Sequence, residues 1–204
     1  MEATLGRQRS FDTEQAIEQA MLLFWERGYE AASMADLSAA MGLNPPSIYA
    51  AFGNKQALFE RCAAHYAQSV AAYAPRALDE EATAAQALHR YVLEAIEAFS
   101  AKERPKGCLL VSGATNCGKG SLGAQDLLAG YRLASEAMIA DRIRQGVEEG
   151  DMPASTEPDL LAKYVAVLIQ GLAAQARDGA TAGDLHSVAE LALGGALTHP
   201  VNNC

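Results

Sequence analysis

Two short helical segments separated by a three-residue turn constrain the fold of this 204-residue chain more than any other feature. Residues 34–41 and 45–52 each place apolar side chains at helical spacing, and the turn between them contains Gly42. Ser33 and Asn44, which precede the two segments, are residue types that favour the N-cap of a helix. The spacing therefore predicts a helix-turn-helix, whose second helix can enter the major groove of DNA.

The remainder of the chain also follows a helical period and has few of the alternating, β-branched runs that indicate strands. The predicted helices run from Asp12 to about Gly28, from Lys55 into the seventies, and over about 82–101, 122–149, 157–178 and 184–197. Pro75 is expected to end the helix that begins at Lys55, and the apolar residues 108–114 are ambiguous. We therefore predict an all-α fold, with a three-helix helix-turn-helix domain over residues 1–60 and a larger helical domain over residues 61–204.

Two longer strings around the turn carry a specific signal. They are GYEAASMADLSAAMGL, residues 28–43, and SIYAAFGNKQALF, residues 47–59. Both match without gaps the DNA-binding domain of TetR/AcrR-type transcriptional repressors, which residues 11–59 resemble. The resemblance implies a homodimer that binds a palindromic operator on double-stranded DNA. It also implies a C-terminal domain that dimerises and binds a small-molecule effector, which releases the operator.

The resemblance also implies which residues contact DNA. Tyr49 and Lys55 would contact phosphates, Ser33 would cap its helix near the DNA backbone, and Arg7 and Arg9 would form an arm ahead of the first helix. The groove-facing surface would consist of Asn44, Pro45, Pro46, Ser47 and Ala50. This surface lacks the arginine that usually contacts guanine, so we expect readout by the serine hydroxyl, by apolar contacts to thymine methyl groups and by DNA shape.

The charge of the chain restricts how it can bind DNA. Its 16 Lys and Arg residues stand against 25 Asp and Glu residues, a net charge of −9, whereas a protein that coats nucleic acid has a broad positive field. Residues 1–65 alone carry five basic and eight acidic side chains, a net charge of −3. We therefore expect few phosphate contacts per subunit and an operator affinity that depends only weakly on salt.

The larger domain is expected to hold both the effector cavity and the dimer interface. The cavity candidates, chosen from helices that would surround it, are Tyr73, Tyr91, Phe99, Leu110, Asn116, Tyr131, Met138 and Tyr164. The last two long helices are too apolar for an exposed surface, and their small residues permit close approach, so we predict a four-helix seam between two copies. Its predicted contacts are Val165, Ile169, Leu172, Ala173, Leu193, Gly194 and Leu197.

Two alternative functions use residues 108–121. Cys108 and Cys117 suggest a thiol-based redox-sensing repressor, although nine residues of continuous helix would put the thiols on opposite faces, so a disulfide requires a helix break. The segment 113–121 nearly spells a nucleotide-binding P-loop, but Gly120 follows Lys119 where that motif needs a hydroxyl. Because no parallel strands are predicted, a nucleotide-binding enzyme is the more remote of the two alternatives.

The sequence lacks the signals of membrane proteins, secreted proteins, metal sites and catalytic sites. No apolar run approaches the roughly 20 residues that span a bilayer, and no signal peptide is predicted. The four histidines show no metal-ligand spacing, and no catalytic constellation can be defined. We therefore expect a cytoplasmic regulator rather than an enzyme, with no membrane segment, no metal and no bound cofactor.

Overall fold

A computed structural model of the protein describes residues 12–115 and 117–198, with side chains through residue 195, and confirms the all-α prediction. The N-terminal helices are α1 (Thr13–Ala31), α2 (Met34–Met41), α3 (Pro45–Phe52) and α4 (Lys55–Gln68). The later helices are α5 (Tyr73–Glu80), α6 (Ala84–Ser100), α7 (Leu109–Ser112), α8 (Leu122–Glu149), α9 (Pro158–Arg177) and α10 (Ala182–Thr198), with a 3-10 turn at Lys119–Ser121. No strand occurs among the described residues.

Side-chain caps define where the first four helices begin. The Asp12 carboxylate accepts hydrogen bonds from the first turn of α1, and Ser33 forms a reciprocal capping box with Asp36 at the start of α2. Asn44 and Asn54 accept backbone N–H groups at the starts of α3 and α4. The predicted N-caps Ser33 and Asn44 are confirmed, and they fix the starts of the two helices of the helix-turn-helix through local hydrogen bonds.

Gly28 breaks α1 before its last turn. Its φ of 80° lies in a region that glycine adopts without steric cost, and it turns the following backbone away from the helix axis. The N–H of Tyr29 consequently donates to the carbonyl oxygen of Gly113, at 2.7 Å, instead of to its own helix. The C-terminal end of α1 is thereby attached to the larger part of the molecule.

An aromatic cluster joins α1 to α4. The ring of Phe59 meets those of Phe24 and Tyr29 edge-on, each with a centroid separation of 4.9 Å. Trp25 and Tyr66 form a further edge-to-face pair at 4.9 Å. Edge-to-face pairs of this kind add to the free energy gained by burial, so these rings stabilise the packing of α1 against α4.

The segment after α4 differs from the prediction. Helix α4 ends at Gln68, and Pro75 lies in the first turn of α5 rather than at the end of a helix. Proline is tolerated there because the N–H groups of a first turn have no partner within the helix. The ambiguous segment 108–114 contains the short helix α7.

Helix α6 forms the centre of the larger part of the chain, where it packs against α5, α8, α9 and α10. Leu88, Val92, Ala95 and Phe99 form a buried stripe along it. The short helix α7 lies between this bundle and the N-terminal helices, since it contacts α1, α4, α8 and α9. This position makes α7 part of both the bundle and the connection to α1.

Candidate DNA-binding surface and effector cavity

The outer face of α3 carries the residues predicted to face the DNA groove. Ile48 and Phe52 are buried against the neighbouring helices, which turns the opposite side of α3 to solvent. That exposed or half-buried side consists of Asn44, Pro45, Pro46, Ser47, Tyr49 and Ala50. None of these side chains carries a charge, and readout of DNA without arginine stays a prediction.

Two of the predicted DNA-contacting residues already use a side-chain oxygen within the protein. Asn44 Oδ1 accepts the N–H of Ser47 at 2.9 Å, which leaves its amide NH₂ as the group available to a ligand. Ser33 Oγ accepts the N–H of Asp36 at 3.1 Å, and its hydroxyl also lowers the pKa of that carboxyl. Both residues therefore hold the ends of the two helices as well as facing outward.

Lys55 begins α4 and lies against the end of α1. Its Nζ is 4.5 Å from the centroid of the Tyr29 ring and 3.5 Å from the carbonyl oxygen of Glu30. Burial lowers the pKa of Lys55, while the nearby Glu30 carboxylate opposes that shift. Lys55 is half-buried, so part of its side chain remains at the surface. The predicted arm residues Arg7 and Arg9 lie outside the described residues.

A cavity of about 70 Å³ lies within the larger helical bundle. Five of the predicted residues line it: Tyr73, Tyr91, Phe99, Leu110 and Tyr131. Four further polar residues line it that were not predicted from the sequence: Cys108, Arg132, Ser135 and Gln170. A signal for one of them was present, because Ser135 lies one helical turn after Tyr131 on α8. Asn116 lies outside the described residues.

Two predicted cavity residues lie elsewhere. Met138 is 40% exposed, and it lies beyond the edge of the α8 face that Ser135 and Ile139 turn to the cavity. Tyr164 is 41% exposed, and its hydroxyl donates to the carbonyl oxygen of Ala192 at 3.0 Å, which joins the outer surfaces of α9 and α10. Their assignment to the cavity was wrong because periodicity does not show which face of an apolar helix turns inward.

The polar groups of the cavity are held in place by specific hydrogen bonds. The hydroxyls of Tyr91 and Ser135 are 3.0 Å apart and share a hydrogen bond. Arg132 Nη1 donates to the carbonyl oxygen of Leu110 at 2.7 Å, which connects α8 to α7. Burial raises the pKa values of Tyr73 and Tyr91, so both phenols are neutral at physiological pH.

The backbone of α1 is bound at several points by the larger part of the chain. The guanidinium of Arg177, at the end of α9, donates to the carbonyl oxygens of Trp25 at 3.1 Å and Glu26 at 2.7 Å. The N–H of Gly118 donates to Glu30 Oε1 at 2.7 Å, and this bond is the main cause of the lowered pKa of Glu30. Together with the bond from Tyr29 to Gly113, these contacts hold both sides of the break at Gly28.

These contacts also explain the near-match to a P-loop. Residues 109–112, which would have to form its strand, are helix α7. The N–H of Gly118, which a P-loop would offer to a phosphate, is bonded to the Glu30 carboxylate, and this carboxylate would repel a phosphate. Gly113 and Gly118 thus join the larger part of the chain to α1, and the nucleotide-binding alternative is not favoured.

The two cysteines of the redox alternative lie in different surroundings. Cys108 is buried beside the cavity and accepts a hydrogen bond from the Tyr66 hydroxyl, whereas Cys117 is half-buried beside Glu30 and Lys55. Both are free thiols, and burial raises the pKa of each. A raised pKa reduces the thiolate fraction on which thiol oxidation depends, so the redox alternative is not favoured either.

The predicted dimer residues are for the most part buried within a single protomer. This set comprises Val165, Ile169, Leu172, Ala173 and Leu193. Gly194 is exposed, and the side chain of Leu197 lies outside the described part of the chain. The assignment of the buried five was wrong because α9 is apolar on most of its circumference, and only packing against α6 and α8 decides which face turns inward.

The apolar side chains that remain exposed on α9 and α10 occupy the opposite face. On α9, Leu160, Tyr164 and Val167 follow one another at helical spacing. On α10, Val188 and Leu191 do the same, and Leu191 is 81% exposed. Among the residues that the structure describes, no helix combines the length and the apolar character needed to cross a membrane.

The helix-turn-helix and the helical bundle each match a known family model. Residues 16–62 match the model of bacterial regulatory proteins of the tetR family, and residues 84–188 match that of the tetracyclin repressor-like C-terminal domain. The chain belongs to the TetR family. It is therefore a DNA-binding transcriptional repressor of TetR type.

Several TetR-family relatives resemble the chain along most of its length. The repressor ComR of Escherichia coli (strain K12) is 32% identical over 90% of this chain and 88% of its own. The repressor BdcR of the same organism is 30% identical over 91% of this chain and 86% of its own. Among solved structures, a cysteine-substituted variant of the TetR family regulator CifR, complexed with 26-bp operator DNA, has a TM-score of 0.90 at 38% identity, and covers 93% of this chain and 99% of its own.

Proposed function

We propose that this repressor is a homodimer that binds a palindromic operator and releases it when a small molecule fills the cavity of about 70 Å³. Residues 1–60 would form the DNA-binding domain, and residues 61–204 the effector-binding and dimerisation domain. Helix α4 spans this boundary without a break. The observation that carries the proposal is that α7 lines the cavity and is followed directly by Gly113, whose carbonyl binds α1.

The path from the cavity to α1 is short. Leu110 and Val111 of α7 line the cavity, and two residues later the Gly113 carbonyl accepts the N–H of Tyr29. A second path runs through Tyr66 of α4, which contacts Cys108 at the cavity and the ring of Trp25 in α1. A ligand that displaces α7 would therefore shift the orientation of α1 and α4, and with it that of α3. Such a ligand acts only if it binds the displaced state more tightly.

The exposed apolar face of α9 and α10 supports the homodimer. Leu160, Val167 and Leu191 would be covered by the same face of a second copy, in an isologous contact. Gly171 and Gly195 lie on these helices with open space above them, which permits close approach of a partner helix. A two-fold dimer of this kind presents two α3 helices to successive major grooves, about 34–36 Å apart, and so selects a palindromic sequence.

The coupling between cavity and operator can be tested by filling the cavity from within. The operator is first selected from a random duplex library, which we expect to yield a palindrome. Ala166 is buried against the cavity, so an Ala166→Phe side chain stands in for an effector. Operator binding is then measured by fluorescence anisotropy.

We expect Ala166→Phe to weaken operator binding by about tenfold or more, which corresponds to about 1.4 kcal/mol. The matched control is Ala134→Phe, which adds the same ring to the exposed side of α8 and is expected to bind as the wild type does. Circular dichroism confirms that both variants are folded. A folded Ala166→Phe protein with wild-type operator affinity would contradict the coupling.

A further inference from the structure

Arg132 sets the chemistry of the cavity. Its side chain lines the cavity and is partly buried, and within the described part of the chain its hydrogen bond goes to a neutral acceptor, the Leu110 carbonyl. Among the residues that the structure describes, Arg132 has no carboxylate partner, whereas Arg90, Arg142 and Arg144 each pair with at least one. A guanidinium that is partly removed from water gains free energy from an anionic partner.

The remaining wall of the cavity is apolar or neutral. None of the described residues that line it is acidic. Phe99, Ile139 and Ile169 contribute apolar surface, and the hydroxyls of Tyr91 and Ser135 already bond to each other. The wall therefore favours a ligand that has one negative group for Arg132 and an otherwise apolar body.

The volume of the cavity limits the size of such a ligand. By comparison with a cavity of about 150 Å³, which holds the six carbon atoms of benzene, about 70 Å³ holds about three non-hydrogen atoms. A three-carbon alkyl chain matches this volume when its carboxylate lies at the half-buried Arg132, whereas the chain of a long-chain acid exceeds it. The flat fork of N–H groups on an arginine also matches the geometry of a carboxylate.

We propose that the cavity binds a short-chain monocarboxylate, with the carboxylate on Arg132 and the alkyl chain against the apolar side chains around Phe99. This inference rests on the proposed function, since it specifies the effector of the same cavity. The planar guanidinium would hold the carboxylate by charge-assisted hydrogen bonds from the N–H groups that do not bind Leu110.

The test compares three probes of the same chain length: butyrate, butyramide and butylammonium. Binding to the full-length protein is measured at pH 7 by isothermal titration calorimetry and by the shift in thermal unfolding midpoint. We expect butyrate to bind at least about tenfold more tightly than butyramide, because only butyrate places a negative charge beside Arg132. Butylammonium is expected not to bind.

Three variants separate the charge of Arg132 from its shape. Arg132→Gln is expected to remove the preference for butyrate over butyramide, whereas Arg132→Lys keeps the charge and is expected to retain a preference for butyrate with lower affinity. Arg104→Gln makes the same change at an exposed arginine outside the cavity and is expected to bind butyrate as the wild type does. If Arg132→Gln fails to fold, the comparison of probes on the wild type still decides the question.

The inference is overturned if wild-type protein binds butyramide as tightly as butyrate, or binds no butyrate at all. Measuring operator affinity with butyrate present separates this result from a failure of the proposed function. Butyrate that binds through Arg132 but leaves operator affinity unchanged would support the carboxylate site and contradict the effector mechanism. Release of the operator by butyramide alone would keep the effector mechanism and overturn the carboxylate assignment.

Discussion

The N-terminal helices and the larger bundle are both all-helical, but they differ in how completely their apolar side chains are packed. The helix-turn-helix is filled by the aromatic rings around Phe59, and each of its helices begins at a side-chain cap, so its shape is fixed. The bundle has a partly open cavity between its helices and an uncovered apolar face on α9 and α10. The well-packed DNA-binding helices are thus joined to a bundle that has a cavity for the proposed ligand and an exposed apolar face for the proposed second copy.

The largest effect is expected in the aromatic cluster between α1 and α4. Phe59→Ala removes the ring that meets both Phe24 and Tyr29, and should lower the free energy of unfolding by about 3–5 kcal/mol. Urea unfolding followed by circular dichroism measures this loss. Phe59→Leu keeps most of the volume and should cost clearly less. Equal losses in the two variants would show that the cluster is not tightly packed.

The uncovered face of the bundle gives the next effect. Leu191→Asp puts a charge in the proposed seam, and should convert the dimer to a monomer and weaken operator binding by at least about a hundredfold, because two half-sites are no longer bound together. Light scattering measures the mass of the protein in solution, and fluorescence anisotropy measures its affinity for the operator. Leu133→Asp, at a similarly exposed leucine on α8, is the control and should remain dimeric. A dimeric Leu191→Asp protein would place the interface elsewhere.

A pair of glycine substitutions tests the break between the two regions. Gly28→Ala must hold a φ of 80°, which a side chain adopts with strain, so we expect a loss of about 1–2 kcal/mol in unfolding free energy. Gly130→Ala lies within α8 with open space around it and should gain about 0.5–1 kcal/mol through helix propensity. Urea unfolding gives both values. We predict changes of opposite sign in the free energy of unfolding, and a Gly28→Ala variant more stable than the wild type would contradict this.

The smallest effect concerns the carboxylate that bridges the two regions. The pKa of Glu30 is lowered in the folded protein, mainly by the Gly118 N–H and next by the Ser121 hydroxyl. Its contribution is therefore complete above the unfolded pKa of about 4.3 and is lost as pH falls through the lower folded value. Hydrogen exchange of the Gly118 amide, corrected for its intrinsic rate, should show protection that declines in acid. Glu30→Gln should remove this pH dependence, and an unchanged profile would refute the bridge.

The sequence predicted best those features that depend on neighbouring residues. The caps at Ser33 and Asn44 and the exposed face of α3 follow from contacts within a few positions of the chain. The seam on α9 was assigned to the wrong face because α9 is apolar nearly all round, and only its packing against α6 and α8 buries Val165 rather than Val167. Which face of such a helix is buried depends on residues distant in sequence, so it cannot be predicted from the periodicity of the helix alone.

The residues that line the cavity were likewise only partly predictable from the sequence. Its aromatic residues were predicted because large apolar side chains on inward stripes are usually buried. Arg132 and Gln170 were missed because a polar residue at the edge of such a stripe is usually solvated. Only the three-dimensional arrangement brings Arg132 to the Leu110 carbonyl and leaves it without a carboxylate partner among the described residues.

The contacts that hold α1 have a consequence for exchanging parts between relatives. Arg177 and Gly113 bind carbonyl and N–H groups of the α1 backbone, which any sequence presents in the same way. The surface of α3 can therefore change its DNA preference while the attachment to the bundle is kept. If a small molecule fills the cavity as proposed, a hybrid that carries the recognition helix of another family member and retains Gly28 and Arg177 should release the other member's operator when that molecule binds.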